Sequence, residues 1–153
     1  METNDYLAFK KYDHLIVSIL FTIAYFLYIF AMASFSFPTV LLIIAVIFIA
    51  WAMFERQNRR ALLSLIVPKY KEVMNFEQVI APEAHHNYRI SLRISLLLVG
   101  TALFVISILQ SLGTIQVDET MLTLPVIYPI ALVVVNVNVH SRYKRMLAER
   151  KLS

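Results

Sequence analysis

Residues 15–54 read LIVSILFTIAYFLYIFAMASFSFPTVLLIIAVIFIAWAMF, a run without one charged side chain. A bilayer crossing needs about 20 mainly apolar residues, so this run is long enough for two. Phe35, Ser36, Phe37 and Pro38 interrupt it near the middle, and Ser36 with Pro38 forms a helix-start signal. The stretch predicts a helical hairpin in a membrane, with crossings over 15–35 and 37–54. A polar interval, 55–93, separates it from two further apolar segments at 94–112 and 122–139. The expected fold is all-α: a polytopic membrane protein with four transmembrane helices as two hairpins. They would form one four-helix bundle over residues 1–153, with a short helical cytosolic loop at 55–93.

Working outward, the composition agrees. Of 153 residues, 59% are hydrophobic and 16% charged, against about 25% charged in a soluble domain. Fourteen Lys and Arg stand against 10 Asp and Glu, a net charge of +4. That excess in a soluble domain would point to nucleic acid. Here the basic residues flank apolar segments, so nucleic acid is not an expected partner and membrane lipid is. Every Lys and Arg falls in 1–14, 55–93 or 140–153. The positive-inside rule then places both termini and the central loop in the cytosol of a cell or inner membrane.

Two lysines, an apolar run and Ala31-Met32-Ala33 also resemble a signal peptide with its cleavage site. The apolar stretch outruns such a segment and continues into a second crossing, which favours a retained helix. Cysteine is absent, which removes disulfides, thiol nucleophiles and thiolate metal sites. Only Gly100 and Gly113 are glycines, so neither a phosphate-binding glycine loop nor a GxxxG contact is available.

Polar residues inside the crossings predict packing faces. Ser18, Thr22 and Tyr25 share a narrow arc at 3.6 residues per turn, and a hydroxyl in hydrocarbon seeks a partner. Gly100, Ser107 and Ser111 share a face of the third crossing, where a neighbour can come close. The second crossing reads apolar on every face, as a lipid-surrounded helix does, with Trp51 at headgroup depth. Pro125 and Pro129 are expected to bend the fourth crossing, and Asn136 and Asn138 lie near its inner end.

Chemistry-bearing patterns are sparse. Glu83 and His86 have the Glu-x-x-His spacing of di-metal carboxylate helices. A single copy in a polar loop after Pro82 lacks the other ligands, so no metal or cofactor is expected. Asp13, His14, Glu55, Arg93 and His140 stand at the cytosolic ends of different crossings. They form a boundary polar set whose histidines and carboxylates can bind a metal or relay protons, or that simply holds an ion pair such as Asp13 with Arg93. No ionisable group lies deep in a crossing, where coupled carriers keep one, and no nucleophile has a base at its depth.

In the loop, Leu62, Leu63, Leu65, Ile66 and Val67 are too short a segment to span and too apolar to stand in water. They predict a docking segment, or packing against an amphipathic helix whose arc is Val73, Phe76, Val79 and Ile80, ended near Pro82. The expected function is a membrane-embedded interaction protein: an accessory, regulatory or immunity-type subunit. It would act through helix packing and that segment, on another membrane protein or a second copy. The alternatives are a small oligomeric channel or uncoupled transporter, and an enzyme on a lipophilic substrate with Glu55, Arg56 and Arg59 as an anion clamp.

Overall fold

The computed structural model describes residues 3–57, 64, 67–116 and 127–152. Five helices are described: α1 Thr3–Ser34, α2 Phe37–Gln57, α3 Lys69–Ile80, α4 Pro82–Ser111 and α5 Ile127–Leu152. Three of them, α1, α2 and α4, are long and apolar enough to cross a membrane. α5 is described from residue 127 onward, so part of the crossing expected at 122–139, with Pro125, lies outside the described residues. Residues 133–140, whose alternation imitates a strand, are helical.

The helices differ from the expected segments in length. α1 has 32 residues and α4 has 30, about 48 and 45 Å at 1.5 Å per residue. The hydrocarbon core is about 30 Å thick, so each helix extends some 15 Å beyond it. For α1 the excess is the polar end before His14. For α4 it is the segment from Pro82 to Arg93, helix rather than loop. The previous helix ends at Ile80, near Pro82 as expected, and Pro82 also begins this one. A residue before proline is pushed out of the α region, and Ala81 has φ −151° and ψ 68°. The chain turns sharply there, and proline occupies the first turn of α4, where no amide is missed.

Pairing departs from two sequential hairpins. α2 packs most extensively on α4, and α1 packs on α5, while α1 and α2 touch little beyond the turn that joins them. Both main pairs are antiparallel. Ser107 Oγ donates to the Pro38 carbonyl at 2.7 Å, while Gly100 faces Ala45 and Ile49. α2 is therefore not surrounded by lipid on every side. Val40, Leu41, Ala45 and Ala52 are buried, and Ile43, Val46, Ile47 and Met53 are exposed. Trp51, read as a headgroup anchor, has its indole nitrogen buried without a hydrogen-bond partner.

The α1–α5 pair is held by the predicted hydroxyl arc. Asn136 Nδ2 donates to Ser18 Oγ at 3.1 Å. The hydroxyls of Thr22 and Tyr128 are 2.7 Å apart, and the Tyr25 and Tyr128 rings are 4.8 Å apart. α4 ends in a Schellman motif: Thr114 N donates to Leu109 O, Gly113 N to Gln110 O, and Gly113 takes φ 70°.

Candidate functional site

The overhanging ends of α1, α4 and α5 converge with α3 into one cluster, whose apolar part comes from α1, α3 and α5 and to which α4 contributes His85. Tyr6, Phe9, Tyr70, Val73 and Tyr143 form its centre, with Val67, Phe76 and Leu147 packed at its edge. On α3 the buried residues are Tyr70, Val73, Met74 and Glu77, an i, i+3, i+4, i+7 stripe. The arc expected from the sequence was rotated from this one. Val73 and Phe76 do pack inward, but Val79 is 80% exposed, and the fourth position of the buried stripe is a carboxylate.

Glu77 is fully buried and has three polar neighbours, one on each of the other helices in the cluster. Tyr6 Oη donates to Oε1 at 2.9 Å, and Arg142 Nη2 donates to Oε2 at 2.6 Å. His85 Nδ1 lies 3.4 Å from Oε2. Burial by itself pushes the Glu77 carboxyl up. The bond from His85, the charge and bond of Arg142, and the bond from Tyr6 outweigh it and hold the carboxyl below the usual range. For Arg142, burial favours the neutral form, but the Glu77 charge beside it keeps the guanidinium firmly protonated. Its cation also lies 5.1 Å from the centre of the Tyr88 ring, a cation–π contact.

A second polar group lies beside the first. Tyr70 Oη donates to Asp13 Oδ1. Burial, then the Asp13 bond and charge, push the Tyr70 hydroxyl above the tyrosine range. Tyr143 is raised in the same direction, by burial first and the Asp13 charge second. Asp13 Oδ2, Tyr143 Oη and Arg142 Nε are buried without hydrogen-bond partners. The amides of Glu83 and Ala84 at the start of α4 donate to the Glu149 carboxylate of α5 at 3.1 and 2.6 Å. This carboxylate thus caps a helix far from it in sequence, where the dipole favours negative charge.

The boundary polar set is distributed among separate places. Asp13 is buried and bonded to Tyr70, not to Arg93. His14 Nδ1 is 2.9 Å from Asn136 Oδ1. Arg93 is half-buried on α4, and His140 is exposed on α5. The side chain of Glu55 lies outside the described residues, as do Arg56 and Arg59. Of the docking segment, Leu62, Leu63, Leu65 and Ile66 also lie outside them, and Val67 packs on the aromatic cluster. Glu83 and His86 occupy the first turns of α4, and among the described residues no group of three His, Asp or Glu is placed to hold a metal ion.

Sequence reasoning passed over Tyr6, Tyr70, Glu77, Arg142 and Tyr143. A signal was present: α3 carries one carboxylate on its aromatic and aliphatic stripe, and the polar end of α5 carries Arg142 and Tyr143 side by side. Chemically, the arrangement is an interlock between helices: Glu77 and Arg142 compensate each other out of water, and Asp13 keeps one buried carboxylate oxygen without a partner. Compared with known protein families, with curated proteins and with solved structures, the chain matches none.

Proposed function

We propose that this chain is a membrane-embedded interaction protein, an accessory, regulatory or immunity-type subunit that acts by packing. One observation carries the reading. Ser18, Thr22, Tyr128, Asn136 and Ser107 are each engaged in a bond between helices, which leaves the outer faces of α1 and α2 aliphatic and aromatic. A pore needs such hydroxyls free to line a path. The hydroxyl arc of α1, which favoured a channel, is instead turned to α5. At the polar end the Glu77 carboxylate is likewise engaged, by Arg142, Tyr6 and His85.

The topology proposed with this function has four crossings, the fourth being the apolar half of α5. Antiparallel pairing of α1 with α5 and of α2 with α4 brings the overhanging ends to one side, and their basic residues assign that side to the cytosol. Single cysteines at Ser36 and Asn75 test it in intact cells with a membrane-impermeant thiol reagent. Labelling at Ser36 alone is expected, and labelling at Asn75 alone refutes the orientation.

The functional test is the set of proteins that co-purify in mild detergent. A stoichiometric membrane partner or a stable homo-oligomer is expected. Replacing Leu62 and Ile66 by Ser is expected to release that partner while the protein stays inserted and abundant. A monomer with no partner, or a partner retained by the double variant, overturns the reading or the docking segment respectively.

A further inference from the structure

Along α5, bordering the contact that Asn136 makes with α1, lies an open groove of about 370 Å³, lined among the described residues by Leu132, Val133, Asn136, Val137 and His140. We propose that this groove holds one acyl chain of an anionic phospholipid from the cytosolic leaflet, with the headgroup at His140 and Lys144. The proposal rests on the topology proposed above, which the labelling at Ser36 tests separately, so the two can fail independently.

Depth comes first. Asn136 bonds both His14 and Ser18 at the start of the first crossing. The groove therefore begins at the cytosolic boundary and runs one to two turns inward. Val133, Val137, His140 and Lys144 recur at i, i+4, i+7 and i+11, a single stripe along a helix. Val133 and Val137 are 61% and 57% exposed, and His140 and Lys144 are exposed as well. The stripe changes from aliphatic to basic at the boundary, which is the pattern of an anionic amphiphile read along its length. Arg145 adds a further exposed cation next to Lys144, whereas the nearby carboxylate of Glu149 is occupied by the amides of α4.

The walls of Leu132, Val133 and Val137 are aliphatic and suit a hydrocarbon chain. Basic residues at the cytosolic edge of a membrane attract anionic lipid, which supplies the headgroup preference.

The test uses the full chain in bilayers. Val137→Trp in a Trp51→Phe background supplies a single fluorescent reporter inside the groove. Vesicles contain brominated phosphatidylglycerol or brominated phosphatidylcholine at matched fractions. Quenching at least twofold steeper for phosphatidylglycerol is expected, and His140→Gln with Lys144→Gln is expected to abolish the difference. Equal quenching by the two lipids overturns the proposal. So does a dimer cross-linked through Val137→Cys, because a second copy would then cover the stripe. If the reporter variant loses its helical circular dichroism, native mass spectrometry of the unsubstituted protein decides. One retained phosphatidylglycerol, lost in the His140 and Lys144 variant, supports the site, and no retained lipid or unchanged retention overturns it.

Discussion

Glu77 on α3 and Arg142 on α5 meet at 2.6 Å with both side chains withdrawn from water, although 65 residues separate them. Tyr6 and His85 approach the same carboxylate from α1 and α4, so one side chain joins α3 to α1, α4 and α5. Removing a partner from such a pair leaves an uncompensated buried charge, and this typically costs about 3–5 kcal/mol.

Glu77→Ala should therefore destabilise the polar end by about 3–5 kcal/mol, read as unfolding in detergent micelles and as faster proteolysis around residues 55–93. Glu77→Leu combined with Arg142→Met should recover most of that loss, because a buried ion pair and an apolar replacement are often equivalent. A double variant as weak as the single one would show that the pair has a value beyond charge compensation.

Stability should fall at both extremes of pH, with opposite signs. The Glu77 carboxyl is lowered in the folded chain from an ordinary value of 4.5. Its contribution is present above that value and is lost as pH falls through the lower, folded one. The Tyr70 and Tyr143 hydroxyls are raised from an ordinary 10.0. Their contribution is present below pH 10 and declines as pH rises above it, because ionisation is easier in the unfolded chain. Thermal unfolding in one detergent across pH 3 to 11 checks both limbs. Tyr70→Phe should flatten the alkaline limb and weaken the fold by about 1–3 kcal/mol, since buried Asp13 loses its donor.

At Gly100 the backbones of α2 and α4 come close together. A Cβ there would meet Ile49 Cγ1 at 2.9 Å, and the Ala45 carbonyl oxygen and Phe48 Cβ at 3.3 Å each. A backbone oxygen cannot rotate aside. Overpacking costs about 1–3 kcal/mol, while alanine recovers about 1 kcal/mol of helix propensity. Gly100→Ala should thus be neutral to about 2 kcal/mol destabilising by these two terms. Gly100→Leu should separate the pair, measured as lost cross-linking between cysteines placed on α2 and α4.

Asn136→Leu removes the bonds to Ser18 and His14 together. Polar contacts between membrane helices contribute about 0.6–2 kcal/mol, so the α1–α5 pair should weaken by roughly 1 kcal/mol without unfolding. A paramagnetic label pair on the two helices should show a broader distance distribution.

The apolar segments at 15–35, 37–54 and 94–112 were legible because hydrocarbon tolerates few side chains. The arc of Ser18, Thr22 and Tyr25, and the face of Gly100 and Ser107, were legible because a polar or small residue in a crossing needs a protein neighbour. Which helix would be that neighbour was not legible, since the pairing of α1 with α5 depends on shape over the whole chain. The interlock around Glu77 was hidden for a different reason. A carboxylate on a short amphipathic helix ordinarily faces water, and only the arrival of Arg142, Tyr6 and His85 makes its burial tolerable. Pro82 was legible only in part: the end of α3 beside it was expected, but proline both ends and begins helices, and here it does both.

The pairing of the first helix with the last sets a timetable for biogenesis. Ser18 and Asn136 are 118 residues apart, and at about 5–20 residues per second a ribosome needs roughly 6 to 24 seconds to make that interval. For all of it α1 lacks the partners that Asn136 and Tyr128 bring to Ser18 and Thr22, while α2 and α4 are free to join each other as soon as both exist. Assembly therefore runs from the inside of the chain outward, and a nascent protein cut short before α5 would leave α1 as the element most open to a wrong neighbour.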